Sequence, residues 1–328
     1  MRFRVGTSGW NYPTGKGTWN GIFYPLPEDR ERGFDELRFY AERFNTVEVN
    51  STFYGQPRPN VTLGWVRRTP ADFDFSIKLY QKFTHPVMAL RRAADFDALS
   101  PQLAQGHPEQ GRGVTTDPGP VTQADVDAFK GGIDPLAAAG RLGALLAQFP
   151  PSFQRTPEAE DYLGWLLRTF SRYSMAVELR HRSWSDHQAA TLALLDAHAA
   201  AWVQIDEPKF ESSIRQDLQP NGGELYYVRL HGRNAAKWWE HELVEDRYNY
   251  LYAAAELAPI AQKARDARAL VKKAYLYMNN HFSAQSVANA VTLRKMLDEP
   301  VTARLPAELV ERFPDLDGVL TLPRARLL

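Results

Sequence analysis

The chain has 328 residues, 44% of them hydrophobic and 24% charged, a balance ordinary for a globular protein with a full core. Lysine plus arginine and aspartate plus glutamate both number 39, so bulk charge gives no strong non-specific pull toward nucleic acid or anionic membrane. Cysteine is absent, which excludes disulfides, thiolate metal sites, iron–sulfur clusters and cysteine nucleophiles.

The opening segment lacks the apolar run of a signal peptide. No window approaches the roughly 18 uninterrupted apolar residues of a membrane span. A cytoplasmic protein with no membrane partner is expected. The oligomeric state is not legible.

Short apolar runs read as strands over residues 3–7, 46–53, 73–79, 142–149, 175–179, 201–205, 225–230 and 274–278. The run 142–149 is rich in alanine, and periodicity alone does not separate a short strand from a helix there. Helical spacing appears over 33–44, 157–173, 186–199, 248–271 and 284–297. Alternation of this kind predicts an α/β fold: a single (β/α)8 TIM-type barrel with long loops over the C-terminal face of the strands. A doubly wound open sheet is the competitor, but no glycine-rich dinucleotide fingerprint follows the first strand. Residues 1–300 form the expected barrel domain. An inserted loop is expected near 101–123, a second long loop over 207–223, and a C-terminal extension over 301–328 packed on the barrel.

Polarity at the strand ends locates a candidate site. A barrel strand buried on both faces should be almost wholly apolar. Yet alternation places Glu48, Asn50 and Thr52 on one side of the second strand, and Ser76 with Lys78 on the third. Glu178 and Arg180 share a parity, as do Arg229, His231 and Arg233; Asp206 ends the sixth strand and Asn280 follows the eighth. Buried charges are costly unless paired, so these groups should face one mouth. Glu48, Glu178 and His231 are the acid/base candidates. Trp10, Asn50, Lys78, Arg180, Trp184, Asp206, Arg229, Arg233 and Asn280 are the candidate substrate contacts. Trp10, Trp184, Trp238 and Trp239 would supply flat walls for a sugar or base. His181 is a weaker acid/base candidate, and the other histidines are not expected to be catalytic. The bland alternative is an ion-pair network that plugs the barrel, with each tryptophan serving as packing.

Ordered motifs add a resemblance. Gly6-Thr7-Ser8-Gly9-Trp10 opens the chain. Then come Thr46-Val47-Glu48-Val49-Asn50-Ser51-Thr52-Phe53-Tyr54, Phe75-Ser76-Ile77-Lys78 and Val177-Glu178-Leu179-Arg180-His181. Tyr227-Val228-Arg229-Leu230-His231-Gly232-Arg233 and Asn279-Asn280 complete the set. Together they resemble the YecE-like family, domain of unknown function 72. The resemblance implies a TIM-barrel-like fold and supplies no established reaction. The ending Asn279-Asn280-His281 departs from the Asn-Asn-Asp ending often seen, which puts an acidic role there in doubt.

The leading expectation is an enzyme for a small phosphorylated or polyhydroxylated substrate, with isomerase- or hydrolase-like acid/base chemistry. Its partner is a small anionic or sugar-like ligand, and no cofactor is expected. A metal-assisted version would place a divalent ion on Glu48, Glu178, Asp206 and His231. It ranks lower because the neighbouring cations repel such an ion. The alternatives are a protein that binds or processes short single-stranded nucleic acid, and a ligand-binding protein without turnover.

Overall fold

The computed structural model describes residues 2–85, 120–238, 244–301 and 304–320. Most of the expected insertion at 101–123, together with Trp239, lies outside the described residues. The chain is an α/β protein with parallel sheets. Among the described residues the strands are β1 (Phe3–Thr7), β2 (Thr46–Val49), β3 (Asp74–Lys78), β4 (Leu142–Gln148) and β5 (Met175–Glu178). They continue with β6 (Ala201–Trp202), β7 (Gln204–Asp206), β8 (Leu225–Leu230) and β9 (Lys273–Met278). One sheet has the order β1-β9-β8-β7, the other β2-β3-β4-β5-β6, and every pairing is parallel.

The sheets approach at two seams. A single parallel bridge, Ser8 to Glu48, links the end of β1 to β2. Gly6 permits that approach, because a Cβ there would collide with the Thr46 carbonyl oxygen. At the other seam Val203 separates β6 from β7, and its N–H donates to Val177 O at 2.9 Å. The expected sixth strand is therefore two short pieces.

The strands are buried along almost their whole length. Helices supply the covering layer, and local chemistry sets their starts. Thr122 and Asp125 form a capping box at helix Gln123–Ala138. Thr156 caps helix Pro157–Thr169, whose first residue is proline. Among the helices beyond the sequence expectation, the two longest are Pro59–Arg68 and Gln123–Ala138, which pack on each other. Leu305, Leu309, Phe313 and Leu316 are buried after residue 300, and helix Asp315–Leu320 packs on helix Gln285–Met296. No helix among the described residues is long and apolar enough to cross a membrane.

Candidate functional site

Because all strands run parallel, the polar residues at their C-terminal ends gather on one side. Register puts Glu48 beside Ser76, Gln148 beside Glu178, and Arg229 beside Tyr277. Arg229 is the centre. Its Nη2 donates to Glu48 Oε1 at 2.7 Å and its Nε to Glu48 Oε2 at 3.0 Å. Its Nη1 donates to Glu178 Oε2 at 2.5 Å and to Gln148 Oε1 at 3.0 Å. Ser8 Oγ and the Tyr227 hydroxyl each donate to Glu48 at 2.7 Å. Arg180 Nε donates to Glu178 Oε1, also at 2.7 Å. Glu48, Glu178, Arg229 and His231 are essentially without solvent exposure.

Burial alone would raise the Glu178 carboxyl. Arg229, then Arg180 and His231, outweigh it and hold the carboxyl well below the usual carboxylate range. Burial opposes charge on Arg229, but Glu178 and Glu48 lock it cationic. Burial pushes His231 below its ordinary value, only partly offset by Glu178. His231 is thus a neutral ring near pH 7. Its Nδ1 lies 2.8 Å from Asn279 Nδ2, and its Nε2 lies 3.6 Å from Glu178 Oε1.

A cavity of about 20 Å³, room for about one water, adjoins this network. Arg180, Arg247, Glu207, Ser212, Ser213 and Trp238 take part in its lining. Arg180 therefore faces both ways, touching the buried carboxylate and the cavity. Arg247 is held by its Nε bond to Trp238 O at 3.1 Å.

The structure brings Glu48, Glu178, Arg180 and Arg229 into one bonded cluster, with His231 beside it, its Nε2 3.6 Å from Glu178. Lys78 is buried at the end of β3, its ammonium 4.1 Å from the centroid of the Phe53 ring. Asn50 begins the short turn Ser51–Phe53, and its buried Oδ1 has no hydrogen-bond partner among the described residues. Asp206 and Arg233 form a separate, more exposed pair at 2.7 Å, joined by the Tyr252 hydroxyl. Trp10 is partly buried and packs edge-on against Trp65.

Two expectations need correction. Trp184 has 0% exposure, stacks on Phe153 and donates its indole N–H to Phe153 O at 2.8 Å, so it has no face to offer a ligand. Asn280 points away from the cluster. Its Nδ2 donates to Tyr250 O and Asn289 Oδ1, tying down the segment before helix Ala254–Ala267. Strand parity explains this, since Asn279, not Asn280, shares the facing of Tyr275 and Tyr277. His181 is likewise engaged as a helix cap, its Nδ1 accepting from Ser183 N at 3.1 Å.

Sequence reasoning missed Ser8, Gln148, Tyr227, Asn279 and Arg247. Parity with Arg229 would have flagged Tyr227, and the strand-end position would have flagged Gln148. Arg247 lies in a short turn with no periodic signal. Among the described residues no group of three or more His, Asp or Glu side chains is placed to hold a metal. Arg229 fills the space between Glu48 and Glu178 that the metal-assisted version would need.

The family model described as "Protein of unknown function DUF72" matches residues 4–311. UPF0759 protein YunF of Bacillus subtilis is 27% identical over 313 residues, covering 93% of this chain and 98% of that protein. UPF0759 protein YecE of Escherichia coli K12 is 41% identical over 81 residues, 22% of this chain and 29% of that protein. A crystal structure of a DUF72 family protein from Thermotoga maritima aligns with a TM-score of 0.70 at 30% identity, covering 91% of this chain and all of that one. One from Enterococcus faecalis aligns at 0.72 with 22% identity over 93% of this chain, a likeness of fold alone.

Proposed function

This chain belongs to the DUF72 family, and from its own site we propose that it is a (β/α)8-barrel enzyme acting on a small phosphorylated or polyhydroxylated substrate by acid/base chemistry. In this reading the described residues up to 300 make the barrel and the described residues 304–320 pack outside it; most of the 101–123 insertion and the tail 321–328 lie outside the described residues. The Ser8–Glu48 bridge and the one-residue gap at Val203 support closure of the two sheets into that barrel.

One observation carries the functional reading: Arg180 bonds Glu178 and also lines the cavity with Arg247. The cavity is too small for a phosphate as it stands, so a ligand enters by drawing Arg180 outward. Guanidinium groups suit this because they pair bidentately with phosphate oxygens. Departure of Arg180 removes one cation from Glu178 and leaves Oε1 beside His231. The carboxylate then becomes a better base, and His231 becomes its proton-donating neighbour. Arg229 and Glu48 stay paired and hold this arrangement from below. A nucleic-acid strand would share the phosphate chemistry but would want exposed rings, and Trp184 and Trp238 are buried.

The test is a ³¹P NMR titration with inorganic phosphate, followed by a panel of phosphorylated sugars in D₂O. Saturable phosphate binding that weakens about tenfold or more in R180Q and R247Q supports the site, as expected for loss of a charge-assisted pair. Equal binding in wild type and both variants overturns it. Turnover or deuterium exchange lost in E178Q supports the enzyme. Phosphate binding with no exchange on any sugar indicates a ligand-binding protein without turnover.

A further inference from the structure

The His231 ring is fully buried. Nδ1 lies 2.8 Å from the side-chain nitrogen of Asn279. An amide nitrogen only donates, so Nδ1 accepts and carries no proton. Nε2 has no hydrogen-bond partner among the described residues and faces Glu178 Oε1 at 3.6 Å. A lone pair there would be repelled by the carboxylate, whereas an N–H is attracted. Two separate contacts, one on each side of the ring, therefore require the same tautomer.

The backbone makes this geometry rigid. Asn279 N donates to Leu230 O at 2.7 Å, and His231 N donates to Asp206 O at 2.8 Å. The Asn279 amide and the imidazole thus leave neighbouring strands at a fixed offset. Rotating the amide would place its oxygen on a protonated Nδ1 and turn the Nε2 lone pair onto Glu178, an unfavourable contact between two fully buried groups.

We infer that Asn279 is a positioning residue that holds neutral His231 with its proton on Nε2, aimed at Glu178, so that His231 is the donor and Glu178 the acceptor of the pair. The functional meaning rests on the acid/base reading of Glu178 and His231; the tautomer does not. When Arg180 leaves Glu178, the Nε2–H is the nearest donor already pointing at the vacated oxygen. Asn279 does this work without touching substrate.

The test is long-range ¹H–¹⁵N NMR of histidine-labelled full-length protein near neutral pH, with H231Q used to assign the signals. The inference expects a pyridine-type Nδ1 and a pyrrole-type Nε2 for His231 in the wild type. In N279D, where an acceptor replaces the donor, Nδ1 becomes pyrrole-type. A pyrrole-type Nδ1 in the wild type overturns the inference by itself, whatever the variant does. A folded N279D whose Nδ1 stays pyridine-type overturns it as well. Failure of phosphate to bind would remove the functional reading while leaving this measurement decisive for the tautomer.

Discussion

Arg229 and Glu48 meet with two parallel bonds, 2.7 Å from Nη2 and 3.0 Å from Nε, with neither side chain reaching solvent. The same guanidinium then reaches Glu178 with its remaining Nη. One cation thereby bridges two buried carboxylates contributed by strands of the other sheet, and Arg180 supplies the second positive charge at Glu178. Desolvating three charges is costly, and it is offset here because every nitrogen of the fork has an acceptor.

Arg229→Met should therefore destabilise the fold by about 3–5 kcal/mol, because Glu48 and Glu178 would remain buried without their main cation. Urea denaturation near pH 7 measures it. A loss under about 1 kcal/mol would mean that water reaches these carboxylates.

Stability should fall as the solution is acidified, in two windows. His231 is held below its ordinary value of 6.5, so below that pH the unfolded chain binds the proton first and folding loses stability. Glu178 is held well below 4.5, so its contribution is complete above that value and is lost as pH falls through and below it. Both effects have the same sign. H231Q should reduce the slope in the first window, where His181, also lowered by burial, supplies the remainder, and keep most of the second, which Arg229 and Arg180 sustain. Denaturation curves at a series of pH values check this, and an unchanged slope in H231Q between about pH 6.5 and 5 would contradict it.

Much of this was legible in the sequence. The runs 3–7 and 225–230 are strands with those very bounds, and strand parity gathers Glu48, Glu178, Arg229 and His231. The second strand ends early because Asn50 turns to helical backbone and starts the turn Ser51–Phe53. Helix Gln123–Ala138 escaped because Gly131, Gly132 and Pro135 read as breakers. Yet Val126, Phe129, Ile133 and Leu136 line one buried face, and the capping box fixes its start. Helix Pro59–Arg68 buries only Thr62 and Trp65, too few positions for a periodic signal. The cavity was not legible at all. It depends on where Arg247 and the Phe210–Ser213 turn come to rest, which long-range packing decides.

Trp184→Phe separates the packing role of this ring from a ligand role. It should cost about 1–3 kcal/mol, since the Phe153 carbonyl loses its buried donor. Phosphate affinity should not change. An affinity loss with stability intact would restore Trp184 to the binding surface.

Gly6→Ala should weaken the seam between β1 and β2. The added methyl meets the Thr46 carbonyl, and separating the strands strains the Ser8–Glu48 bridge above it. A cost of about 1–3 kcal/mol is expected from overpacking. Thermal denaturation reads it directly, and a midpoint equal to wild type would show that the seam tolerates a wider gap.

The most direct measurement of the central claim is a crystal structure of the protein at saturating phosphate. The account predicts an anion held between Arg180 and Arg247, with Arg180 Nε withdrawn from Glu178 and the Arg229–Glu48 pair unmoved. An Arg180 that keeps its 2.7 Å bond to Glu178 while the cavity takes no anion would contradict it, and the cluster would then stand as an internal scaffold between the two sheets.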